Sequence, residues 1–72
     1  MNWAIVELTK QHYPKGTRIE LIYMSDPYSP VPDGTKGTVE FIDDMGQIHM
    51  KWDNGRTLAL VPGVDSFRKI EE

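Results

Sequence analysis

The chain has 72 residues, no cysteine, 39% apolar and 26% charged residues, and a net charge of -3 from eight basic and eleven acidic side chains. That length suits one domain with one small core, and the missing cysteine excludes disulfide staples, thiolate metal ligands and a thiol nucleophile. The mild, interspersed acidity works against nonspecific polyanion binding, and no stretch approaches the ~20 apolar residues of a membrane helix.

Trp3, Ile5, Val6, Leu8 and Tyr13 recur at helical spacing, which predicts a helix over 1–13 with Asn2 as its N-cap and Pro14 as its stop. Barely three turns long, such a helix is marginal alone, so its apolar stripe is expected to lid the open end or flank of the adjoining sheet. After Pro14-Lys15-Gly16 the period changes to alternation. Arg18 to Met24 reads as a strand with Ile19, Leu21 and Tyr23 inward. Gly37 to Asp43 comes next with Val39 and Phe41 inward, then Gln47 to Trp52 with Ile48, Met50 and Trp52 inward. Arg56 to Leu60, with Leu58 and Leu60 inward, is expected to be a fourth strand and Phe67 to Ile70 a short fifth.

The connections carry as much information. Asp43-Asp44-Met45-Gly46 predicts a tight hairpin, and the Asn54-Gly55 pair suits the positive φ angles of a type I′ turn. The segment 25–34 holds Pro27, Pro30 and Pro32, which makes the first loop extended and stiff. Five short, bent strands and one long first loop describe a mainly β fold. The expectation is a single domain, 1–72, with a helix over 1–13 and a five-stranded SH3-like barrel over 17–70.

The run Gly34-Thr35-Lys36-Gly37-Thr38-Val39, then Gly46 through Trp52-Asp53-Asn54-Gly55, resembles small SH3-like modules such as KOW-type and Mind-bomb/Herc2-type domains. A longer pattern spans most of the chain. Tyr13-Pro14-Lys15-Gly16-Thr17-Arg18, Met24 with Asp26-Pro27-Tyr28, Pro32 to Val39, Trp52 to Gly55, and Pro62 to Arg68 are similar to an uncharacterised family of about this length. That family is found in bacteria, especially Firmicutes, and in their phages and mobile elements. The resemblance implies a fold and a genomic setting, and no activity.

Three candidate surfaces emerge. In the first, Tyr28 on the stiff loop, with Pro30 and Pro32, forms an apolar groove beside Trp52 or Tyr23 for a peptide or a base. The competing and favoured account packs Tyr28 over the barrel end. In the second, Lys36, Lys51, Arg56 and Arg68 converge, with His49 beside Lys51, as a strip for nucleic-acid phosphates. Cross-strand ion pairing on a solvated face explains the same charges, with Glu40 and Asp43 opposing them. In the third, Trp3, Ile5 and Leu8 on the helix meet a partner or a second copy of the chain.

Asp43, Asp44 and Asp53 fall at turns, which Asp side chains cap, and His12 and His49 show no ligand spacing, so no metal is expected. No serine sits in a nucleophile-elbow context and no cofactor motif occurs, so the chain is expected to be no enzyme. The N-terminus has neither a basic n-region nor a small-residue cleavage site, which points to the cytoplasm rather than secretion, and the resemblance implies that of a bacterial host cell. The first expectation is a binding module of bacterial or phage origin that works by protein contacts, one version being an inhibitor of a host defence protein. The alternative is a KOW-like nucleic-acid-binding barrel.

Overall fold

A computed structural model describes residues 3–71, so the Asn2 cap lies outside the described residues. The chain runs α1 (Trp3–His12), β1 (Arg18–Tyr23), β2 (Lys36–Ile42), β3 (Ile48–Trp52) and β4 (Ser66–Ile70). The four strands form one antiparallel sheet in the order β3-β2-β1-β4. Among the described residues no helix is long and apolar enough to cross a membrane.

Alternation places the core where the sequence put most of it. Ile19, Leu21, Val39, Ile48, Met50, Trp52 and Leu60 are buried together, joined by Met24 and Val31. Tyr23 and Phe41, expected inward, are exposed. Both corrections have one cause. The ladder slips by a residue between Leu21 and Tyr23 on β1 and between Val39 and Phe41 on β2. Each bulge inserts one extra residue and reverses the alternation beyond it, so Met24 takes the inward place assigned to Tyr23 and Ile42 packs against the core in place of Phe41.

The expected five-stranded barrel is not what the backbone forms. Residues 56–60 lie along the free edge of β3, but only Ile48 and Leu60 exchange a pair of backbone bonds, at 2.9 and 2.8 Å. Between them the Leu58 carbonyl accepts from the Trp52 indole Nε1–H at 2.8 Å, so it is turned to a side chain and the ladder is interrupted. Leu58 is half-buried and packs against the core, while Leu60 is fully inside.

The turn at 52–56 also differs from expectation. Gly55 has φ of 90°, but no non-glycine residue among those described has a positive φ, so Asn54 does not take the first type I′ position. Gly55 N–H donates to Trp52 C=O and Trp52 N–H donates to Arg56 C=O, both at 2.9 Å. This is a three-residue loop with glycine at the left-handed position, and Asn54 contributes through its side chain, accepting from Arg56 N–H at 3.0 Å. The 43–46 hairpin forms as expected, with Asp43 Oδ1 accepting from Met45 and Gln47 N–H groups, both at 2.9 Å.

Two side chains tie the loops to this frame. Val31 is buried and its N–H meets Met24 Sδ at 3.4 Å, which anchors the proline-rich loop in the core. Asp65 accepts from Ser25 N–H and Val61 N–H, each at 2.8 Å, joining the loop after β1 to the turn before β4.

Candidate interaction surface

Helix α1 is held by little. Val6 is its one buried residue among those described, and it meets the β2–β3 turn, where a Cβ added to Gly46 would lie 3.7 Å from Val6 Cγ2. Tyr13, just past the helix, packs edge-on against Phe67 with ring centroids 5.6 Å apart. The predicted apolar face is therefore only partly docked. Trp3, Ile5 and Leu8 stay 58%, 58% and 53% exposed.

These three do not form one stripe. At about 100° per residue, Ile5 and Leu8 share a side with Thr9 and His12, whereas Trp3 lies under Lys10, whose Nζ is 5.6 Å from the indole centroid. The Ile5 side borders an apolar groove of about 230 Å³ whose walls are Ile5, Thr9, Met45, Gly46, Val61 and Pro62, with Val6 beside them. Met45, at the hairpin tip, is 71% exposed. Periodicity does not single out Met45. The signal that could have found it is an apolar side chain at a turn position that needs none.

The proline loop is held by hydrogen bonds at Tyr28 and Ser29. Asp26 Oδ1 accepts from Tyr28 N–H at 2.8 Å and from Ser29 N–H at 3.4 Å, and the Arg56 guanidinium donates to the Ser29 carbonyl. The loop is thus braced at both shoulders. Tyr28 is nevertheless 94% exposed, so it does not pack over the sheet end. Nor does it form a groove with Trp52, which is 1% exposed because it fills the core. Pro30 and Pro32 flank buried Val31 and are themselves exposed.

The predicted basic strip is partly assembled, and Arg68 within it is paired with a carboxylate. Lys51 lies opposite Thr38, which lies opposite Arg18, and Lys36 lies opposite Glu20, which lies opposite Arg68. Arg18 makes a two-pronged bond to Asp53 at 2.8 and 2.7 Å, and Arg68 Nε donates to Glu20 at 2.7 Å. The Arg18 guanidinium holds the Asp53 carboxyl below its ordinary range, chiefly by that hydrogen bond. Arg56 leaves the strip for the Ser29 carbonyl.

His49 is held on two sides. Its Nε2 is 2.8 Å from Asp43 Oδ2, and its ring stacks on Phe41 with centroids 4.3 Å apart and planes 8° from parallel. The bulge at Glu40 created this stack by turning Phe41 outward beside His49. The bond from His49 lowers the Asp43 pKa, partial burial opposes it, and the Gln47 and Met45 N–H groups add to the lowering. Asp43 thus caps the hairpin and orients the imidazole. Among the described residues no group of three or more His, Asp or Glu side chains is arranged to hold a metal ion.

A family model matches residues 2–70. The chain belongs to the family described as domain of unknown function DUF4314. No curated protein matches it. For this DUF4314 chain the match covers α1 and all four strands, so the helix belongs to the family's unit and is no appendage to it.

Proposed function

We propose that this chain is a non-catalytic module that works through protein contacts, and that its docking surface is the groove between α1 and the β2–β3 turn. One observation carries the reading: a helix with a single buried side chain keeps Ile5 half exposed across from Met45, over a groove with apolar walls. A ten-residue helix gains little from propensity alone, so a covering partner stabilises both the contact and the helix. Burying what remains exposed of each of Ile5 and Met45 contributes about 1–2 kcal/mol, the scale of an interface anchor. The architecture that presents it is read as an opened SH3-like barrel in which residues 56–60 are the reduced fifth strand.

The test compares wild-type chain with Met45→Glu and Tyr28→Ala in retaining proteins from host extract. The reading expects a discrete species that Met45→Glu loses and Tyr28→Ala keeps, at unchanged melting temperature. Retention that ignores Met45→Glu contradicts it.

A second reading rests on the Phe41–His49 stack beside Lys51 on the outer face of the sheet. Exposed Phe41 stacked on half-buried His49, next to a cation, suits an unpaired base and its phosphate. Its signature is affinity for single strands that falls with salt and is lost in Phe41→Ala. Flat salt dependence dismisses it. The neutralised Arg18 and Arg68 place this reading second.

A further inference from the structure

The sheet has two edges, and they are treated differently. Beyond β3, residues 56–60 supply the Ile48–Leu60 pair and the Trp52–Arg56 bond. At β4 the ladder ends: all its partners are on β1, and among the described residues no backbone bond reaches its other side. We propose that this open edge of β4 pairs antiparallel with the same strand of a second copy, about a two-fold axis through Ile70.

The occupant is specified by charge. Charged side chains on an edge strand ordinarily repel another strand. Here the sequence Arg68-Lys69-Ile70-Glu71-Glu72 reads plus, plus, apolar, minus, minus. A two-fold axis perpendicular to the sheet keeps each face on its own side, so an outward residue can only oppose an outward one. Centred on Ile70, that register sets Ile70 against Ile70 and Lys69 against Glu71 of the second copy, an ion pair that occurs twice. Centring on Lys69 or Arg68 sets like charges together, so the pattern selects one register. The groups are accessible: Lys69 and Glu71 are exposed, and the Arg68 side chain keeps 63% exposure beside Glu20. With one open edge per chain, the contact is used up on both copies, and assembly stops at two instead of growing into a fibre.

Sedimentation velocity over a wide concentration series, at low and high salt, tests this on the full chain. The wild type is expected to approach twice its 8.3 kDa mass, with weaker association at high salt. Lys69→Glu alone and Glu71→Lys alone each place like charges across the seam and are expected to stay monomeric with unchanged circular dichroism. An equimolar mixture of the two restores association, because every mixed pair again sets a carboxylate against an ammonium. Lys69 sits over the Tyr13 ring, so if Lys69→Glu fails to fold, Glu71→Lys with its salt dependence carries the test. A wild type that is monomeric throughout, single variants that dimerise like the wild type, a mixture of folded variants that does not associate, or an edge that binds an extended peptide while the chain stays monomeric would each overturn the proposal. These substitutions leave Ile5 and Met45 untouched, so the result is independent of the docking groove.

Discussion

Replacing Trp52 with alanine removes the largest fully buried side chain of the core and the donor that holds the Leu58 carbonyl. Loss of a buried indole costs about 3–5 kcal/mol, and a core of this size provides about 3–5 kcal/mol in total, so Trp52→Ala is expected to be unfolded at room temperature. Trp52→Phe separates the two contributions. It keeps an aromatic ring in the core and leaves the Leu58 carbonyl without its partner, at about 1–3 kcal/mol plus the smaller loss of volume. For a domain of this length each kcal/mol moves the melting temperature by about 4–8 °C. Urea and thermal unfolding followed by far-ultraviolet circular dichroism measure both, and Trp3 remains as a fluorescent reporter. Asn54→Ala is the control, since it removes one exposed bond to Arg56 N–H and costs about 0.5–1.5 kcal/mol. A loss below about 1 kcal/mol for Trp52→Ala, or one smaller than that of Asn54→Ala, would refute the placement of this ring at the centre of the fold.

Gly37→Ala tests the same packing from the other side. Its Cβ would stand 2.7 Å from Trp52 Cε3 and 3.1 Å from the Lys51 carbonyl, and overpacking of this kind costs about 1–3 kcal/mol in chemical denaturation; an unchanged midpoint would show that the ring moves freely. Asp65→Ala removes the acceptor of both Ser25 N–H and Val61 N–H and should lower stability by about 1–3 kcal/mol, with faster amide exchange at those two positions. Acid should also destabilise the chain. Asp43 and Asp53 have folded pKa values below the ordinary 3.8, so their contribution is complete above that value and is lost as pH falls through the folded values. The melting temperature of wild type is therefore expected to drop below about pH 4, and that of Asp53→Asn to drop less steeply; superimposable acid profiles would remove Asp53 from the account.

The legible part of the fold is the part that alternation and turn chemistry encode. Ile19, Leu21, Val39, Ile48, Met50 and Trp52 could be read because they alternate between turns marked by glycine and aspartate, and the single helix because Pro14 ends it. Tyr23 and Phe41 could not, because a bulge is a choice of pairing register between two strands and leaves no mark in the period of either. Residues 56–60 have the composition of a strand, yet the Trp52 indole takes the Leu58 carbonyl, a competition between a side chain and a ladder that only the packed core decides. The site residues divide the same way. Ile5 and Met45 meet across a groove because Val6 seats the helix on the hairpin, a contact far apart in sequence. The prolines of the loop bearing Tyr28 were visible in the sequence, whereas its braces, Asp26 to Tyr28 N–H and Arg56 to the Ser29 carbonyl, were not.

The central claim is that the helix and the β2–β3 turn together receive a protein partner. A photo-crosslinking side chain placed at position 45 of the full chain inside the host cell tests it most directly, with position 28 as the matched exposed control. The account predicts a discrete protein adduct from position 45 that disappears when Ile5→Glu is added, and none from position 28. Adducts that survive Ile5→Glu, or that form equally from both positions, would contradict it.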